Sequence, residues 1–511
     1  MDRLERNGTL IAITAFLAVA LFGILARPLL PVDETRYLTV AWEMREGGHW
    51  LVPRLNGEIY SHKPPLLFWL INLVWWVTGV SEATARLIGP AFGAGAIAAT
   101  AGLARRLWPE DPDVGGRAAL VLAGSTVFAL YAGLTMFDAM LTLATILGIR
   151  ALVATQRPGA WIELGAALAF GAFAKGPVIL VLLVPTAVLA PLWSDEGWRM
   201  ALARLGKALA LGLGLVALWL VPAIITGGAE YRDAVLWTQS AGRVADSFAH
   251  GRPWWWFLAL MPLVLWPWAW SGRLWRRLGR LDFHHRGVRL ALVWAGSTLV
   301  IFSLISGKQL HYLLPALPAV ALLAARAMPG QRPIGAPAAG LVPLLLGAAF
   351  LALWLGFGPE DIVAQVRPDW TLAVVGVLLI SLAATVAMLR GLALAALGLG
   401  LVALIDLAFL IGPPGRLYDA RPIAGEIAPH DDGGIAVLGA YEGEFGFAAR
   451  LQHPVLEFRE LEQAVTWLAA TPGGVLIARM DKPHPAGEPE LVVDYNAKTL
   501  GFWRGAPLPA N

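Results

Sequence analysis

The chain has 511 residues, 57% of them hydrophobic and 15% charged, and its mean hydropathy is +0.63, which excludes an ordinary soluble globule. It contains no cysteine, so disulfides, iron–sulfur clusters and thiolate zinc sites are excluded as well. The net charge is only +3, and the basic residues lie in loops, without the basic, aromatic-interleaved face that nucleic acid would need.

Apolar runs long enough to cross a bilayer are read at 9–26, 86–104, 116–133, 138–154, 160–175, 177–193, 207–225, 254–272, 288–305, 309–325, 336–357, 370–389 and 391–411. The first is followed at once by the acidic pair Asp33-Glu34. Carboxylates so near hydrocarbon are expensive unless they serve a function; the plain alternative is that Asp33 caps a helix. Tyr37, Val40, Ala41 and Met44 share one face at helical spacing, which predicts a surface helix here. Arg36 stands one helical turn from Asp33, so both are expected to face the same cavity.

Pro64-Pro65 then open LLFWLINLVWWVTG, an apolar stretch of about 14 residues, or about 21 Å of helix against about 30 Å of hydrocarbon. Prolines at its first turn and Gly79 at its end bound it, and Trp69, Trp75 and Trp76 suit a helix lying in the headgroup plane. The basic loops decide its placement. With this helix on the surface, Arg105-Arg106, Arg157, Arg199/Arg204/Lys207, Arg326/Arg332, Arg390 and the loop SGRLWRRLGRLDFHHRGVR all fall on the cytoplasmic side, as the positive-inside rule requires. About thirteen spanning helices follow, with the N-terminus inside and the C-terminus outside. The first run is read as uncleaved, because no A-x-A-like site follows it.

Past Gly412 the composition changes. IAVLGAY, PVLEF, GVLIARM and LVVDY are strand-like, and ELEQAVTWLAAT between them is helical. This predicts a membrane domain at 1–411, with 27–85 as its first outer loop, and a small α/β domain at 412–511 behind the linker GPPG.

On this topology the unusual polar residues gather on the outer face. Asp33, Glu34, Arg36, His62 and Lys63 lie in the first outer loop, Asp138 at the second outer turn and Lys175 at the third. His250 and Arg252 end the fourth, and Lys308, His311 and Tyr312 lie at the fifth. Ionisable residues that converge near a membrane usually line a site. The residue types point to transfer of a group from a phosphate-bearing lipid. Asp33 and Asp138 supply carboxylates for a base or for orienting an acceptor. Arg36, Lys63, Lys175, Arg252 and Lys308 are candidates to hold the phosphate, Arg by paired bonds and Lys as a point charge. Each competes with a plainer reading: Arg252 and Lys308 as snorkelling residues, Lys175 as a helix C-cap, Tyr312 as a belt aromatic. His62 and His250 are the candidate ligands for a divalent cation, although their spacing defines no metal motif. No phosphate-cradling GxxxxGK[ST] is present, as expected if the donor is carried on a lipid. The rival class is a lipid or ion transporter, which would more often show inverted repeats and broken helices in matching halves.

The segment RPLLPVDETRYLTVAWEMREGGHWLVPRLNGEIYSHKPPLLFWL, with YAGLTMFDAMLTL, FAKGP, HGRPWWWF and GKQLHYLLPALP following in order, resembles the aminoarabinose lipid A transferases and the wider protein O-mannosyltransferase-like superfamily of GT-C glycosyltransferases. The resemblance implies a mostly α, polytopic fold of GT-C type with two periplasmic surface helices. It implies a bacterial inner-membrane enzyme with a periplasmic site, which takes a sugar from a polyprenyl-phosphate donor with inversion. The acceptor would be lipid A, another glycolipid or a protein hydroxyl. It makes Asp33 the catalytic carboxylate, brings Arg36, Lys63 and Tyr312 to the donor phosphate, and places His250 and Arg252 in a segment that closes the site. His62 departs from the pattern: the aminoarabinose transferases commonly carry Glu there, at their loop-anchoring metal contact.

Overall fold

The computed structural model describes residues 7–154, 157–235, 251–328, 335–366, 369–386 and 388–505. It divides into two compact units. The first is Met1–Leu25, His62–Leu67 and Arg86–Leu407, and the second is Ala26–Ser61, Phe68–Ala85 and Ala408–Asn511.

In the first unit every predicted apolar run folds as one helix or as a pair of short ones. Among the described residues six helices are long and apolar enough to cross a bilayer, or seven if the bent pair Val114–Ala123 and Thr126–Ala132 is one span. The thirteen expected crossings are not reached by that measure, because several runs break. The bent pair turns by 71° at Gly124-Ser125, where helix Ala395–Ile411 comes so close that a Cβ on Gly398 would strike the Gly124 carbonyl. Helices Asp138–Val153 and Ala160–Lys175 have 16 residues each. Small residues allow this packing, as expected where lipid supplies no hydrophobic drive between helices. A Cβ on Gly165 would sit 2.9 Å from the Ala208 carbonyl, and one on Gly347 2.6 Å from that of Gly376.

The second unit is built from the first loop and the C-terminal segment. Helix Asp33–Gly47 buries the predicted face of Tyr37, Val40, Ala41 and Met44, and with it Glu34, Thr35, Leu38, Thr39 and Trp42, so it is covered on more than one side. Against that face lies helix Leu66–Thr78, ended by Gly79 at φ +78°. Tyr37 meets Phe68 at 6.4 Å between ring centroids, and Asn72 Nδ2 donates to the Ala41 carbonyl at 2.9 Å. The short strands β1 (Arg54–Leu55) and β2 (Glu58–Ile59) form an antiparallel hairpin. Its Asn56-Gly57 turn has φ +56° and +77°, the conformation for which Asn-Gly is the favoured pair.

The C-terminal segment holds β3 (Ile435–Leu438), β4 (Leu456–Phe458), β5 (Val475–Arg479), β6 (Leu491–Tyr495) and β7 (Lys498–Arg504) in the order β4-β3-β5-β7-β6. β3 runs parallel to β4 and β5, and β7 is antiparallel to β5 and β6. Helix Leu461–Ala470 covers one face through Ala464. The four predicted strands and this helix are present. β7 carries no such local signal, because the turn before it, Asn496-Ala497, lacks the glycine that usually marks a tight hairpin.

Candidate functional site

In the first unit a polar cluster is buried at the start of helix Asp138–Val153. Asp138 is 2% exposed, and its Oδ1 accepts from Lys175 Nζ at 2.7 Å. Lys175 is the last residue of helix Ala160–Lys175, so two packed helices present opposite charges to each other. His311 Nε2 lies 3.9 Å from Asp138 Oδ2. The Tyr312 ring lies under Lys175 Nζ at 4.8 Å, a cation–π contact that strengthens once water is excluded. Tyr131 stands 5.3 Å from the His311 ring. Lys63, three residues ahead of Leu66, reaches the Phe137 ring at 5.9 Å, beside Asp138. The fold thus gathers Asp138, Lys175, His311, Tyr312 and Lys63 from four separated stretches of chain.

Lys308 and Arg252 are joined in another way. Lys308 is 3% exposed, and its ammonium donates to the carbonyl of Arg252 at 2.9 Å and to that of Ile305. The Arg252 amide donates to the Ser306 carbonyl at 3.1 Å, and Gly251 pairs with Gly307. This is neither free snorkelling nor a bare cation: Lys308 fastens the two loop ends to each other. His250 lies outside the described residues. Among the described residues no three His, Asp or Glu converge as a metal centre.

In the second unit the helix that begins at Asp33 carries three of the expected residues. Its N-cap is Val32, and no side-chain cap bond forms there. Asp33 instead accepts from Tyr37 Oη at 2.8 Å through Oδ1, one turn on, so the capping alternative does not hold. Glu34 is buried, at 2% exposed. Its Oε2 accepts from the Leu30 amide at 3.2 Å and lies 3.7 Å from Arg27, which ties down the approach to the helix.

Arg36 has a partner that the local sequence does not suggest. Its guanidinium is ion-paired with Glu442, and its Nε also donates to the Glu442 carbonyl at 3.4 Å. Glu442 follows β3 and stands 406 residues away, so no local pattern could have paired the two. One turn further on, Thr39 Oγ1 donates to the Gly443 carbonyl at 2.8 Å and accepts from the Phe447 amide at 2.9 Å. Glu43, two turns on, accepts from the Asn56 and Gly57 amides at 2.7 and 3.1 Å and so holds the hairpin turn. Burial pushes the Glu43 carboxyl up, against the pull of those two bonds. Of these missed residues only the hairpin had a local signal, the Asn-Gly pair.

A family model described as dolichyl-phosphate-mannose-protein mannosyltransferase matches residues 62–225. An undecaprenyl phosphate-alpha-4-amino-4-deoxy-L-arabinose arabinosyl transferase of Pseudomonas aeruginosa is 34% identical over 337 residues, covering 63% of this chain and 60% of that one. The protein of that name from Yersinia enterocolitica is 30% identical over 341 residues, covering 64% and 60%. The chain therefore spans about 60% of the length of these curated relatives. The crystal structure of ArnT from Cupriavidus metallidurans bound to undecaprenyl phosphate has the same fold, with a TM-score of 0.76 at 19% identity over 98% of this chain and 99% of that one.

Fold and site together define a multi-pass inner-membrane protein of GT-C architecture. Within that class the chain is similar to the aminoarabinosyl transferases over about 63% of its length and to the protein mannosyltransferase family over residues 62–225.

Proposed function

We propose that the protein is a membrane glycosyltransferase that moves a sugar from a polyprenyl-phosphate donor to lipid A, another glycolipid or a protein hydroxyl on the periplasmic face. The observation that carries this reading is the cluster of Asp138, Lys175 and His311, with Tyr312 beside it, in the first unit, since ionisable groups kept among apolar helices are usually functional. The names of the curated relatives favour an undecaprenyl-phosphate donor and a pentose such as an aminoarabinose.

In the proposed reaction Asp33 takes the proton of the attacking acceptor. Its bond from Tyr37 fixes the carboxylate in advance of that task. Lys63 and Tyr312 in the first unit, and separately Arg36 in the second, are proposed as ligands of the donor phosphate, since fixed positive charge stabilises a departing oxygen. Asp138 is paired with Lys175 and so is poorly suited to be a base; on this reading it holds Lys175 and His311 in place beside the phosphate. Lys308 and Arg252 keep the loop ends closed over the site. We take 1–411 as the transferase domain and 412–511 as a periplasmic α/β domain.

The decisive test is turnover by the purified full chain with a panel of undecaprenyl-phosphate sugars, with lipid A and glycolipid acceptors. Transfer of one sugar supports the reading. Uptake or flipping of a lipid without any new glycosidic bond would replace it with the transporter reading.

A further inference from the structure

Arg36 is held by two partners of unequal freedom, both supplied by Glu442. The carbonyl oxygen is fixed, because the next carbonyl, that of Gly443, is bonded to Thr39 in a buried contact on the same helix. The carboxylate is not fixed. The Glu442 side chain is 50% exposed to solvent against 17% for Arg36, so the carboxylate is the open side of the pair, where an ion pair contributes little. A better anion can therefore displace the carboxylate while the carbonyl keeps the guanidinium aimed.

We propose that Glu442 is a positioning residue that competes with the lipid phosphate for Arg36 and so promotes release of the polyprenyl-phosphate product. This rests on Arg36 being a ligand of the donor phosphate. In the transfer an acceptor oxygen forms a bond to the anomeric carbon, and the bond from that carbon to the phosphate oxygen breaks. The electron pair stays on the phosphate, and the acceptor proton passes to Asp33. The donor is thus a phosphodiester with one negative charge. The product is a monoester with about −1.5 to −2 near neutral pH, by analogy with other phosphate monoesters. Cations that bind the donor bind this product more tightly, and product release then limits turnover. A tethered carboxylate acts at high effective concentration. It weakens both complexes by the same factor, and the gain in turnover falls on the slower step, departure of the product.

The test is undecaprenyl phosphate binding to the full chain in nanodiscs, together with its inhibition of turnover. The set is wild type, Glu442→Gln, Glu442→Asp, Arg36→Ala and the double variant Arg36→Ala/Glu442→Gln. Glu442→Gln is expected to bind undecaprenyl phosphate several-fold tighter, to be inhibited by it at lower concentration, and to lose kcat while KM falls. Glu442→Asp, whose carboxylate stops one methylene short, shifts the same way and guards against misfolding of the Gln variant. In the Arg36→Ala background the Glu442 change has no effect on binding. Weakened binding in Arg36→Ala with unchanged or weaker binding in both Glu442 variants overturns the competition and leaves the Arg36 reading standing. Unchanged binding in Arg36→Ala removes the Arg36 reading and the competition with it.

Discussion

At the scale of single residues, the site is a set of charges each held by a named neighbour. Asp33 is positioned by Tyr37 and takes no part in capping. Asp33→Asn is therefore expected to lower transfer by about 10²–10⁴-fold, the usual worth of a general base, with undecaprenyl phosphate affinity kept. Parallel turnover and binding assays check this, and an Asn variant with near-normal turnover would remove the base role. The Asp138–Lys175 pair, 2% and 11% exposed, makes a separate claim about stability. Leaving one buried charge without its partner typically costs about 3–5 kcal/mol, and replacing both costs much less. Lys175→Met alone should therefore lower the melting temperature in detergent more than Asp138→Leu/Lys175→Met does. With Asp138→Leu measured alongside, a double loss equal to the sum of the two single losses would mean that the two charges are not coupled.

At the scale of elements, one helix organises the second unit. Asp33–Gly47 turns Tyr37 and Ala41 toward Leu66–Thr78. It gives Arg36, Thr39 and Trp42 to the C-terminal segment, Trp42 through a 2.8 Å bond to the Leu451 carbonyl. The amphipathic spacing made the first of these faces legible. The second face carries a charged, a hydroxyl and an indole side chain, and nothing local says that these are covered. Burial also pushes up the carboxyl groups of Glu43 and Glu444, which lie in this unit. A carboxyl raised by burial favours the folded state in its protonated form. That stability is complete below the ordinary carboxylate range and is lost as pH rises through the raised values. The unit is thus expected to melt at lower temperature as pH climbs from the ordinary carboxylate range through those values. Glu444→Gln should flatten this slope in a melting series, and an unchanged slope would show that Glu444 does not cause it.

At the scale of the whole molecule, the charge bias predicts a topology that accessibility measurements can check. Tags within 273–289 should report from the cytoplasm and tags beyond Gly412 from the periplasm. A cysteine introduced at Thr78 should be closed to cytoplasmic reagents, and labelling there from the cytoplasm would make Leu66–Thr78 a crossing helix and reverse the proposed face of the site. The sequence by itself determined the class, the helical runs, the short helix bounded by Pro64-Pro65 and Gly79, and four of the five C-terminal strands. These are properties of composition and of short-range periodicity, which act within a few residues. It also marked Asp33, Lys63, Asp138, Lys175 and Tyr312, because a charged or polar group among apolar neighbours is conspicuous in a one-dimensional reading. Only the tertiary structure decided which of these groups touch. Lys175 meets Asp138 because two helices pack closely, Lys308 is taken up by backbone carbonyls, and Arg36 meets a carboxylate from the far end of the chain. Electrostatic partners are chosen by distance in space, and that distance is set by how the helices pack and where the C-terminal sheet docks on the first loop.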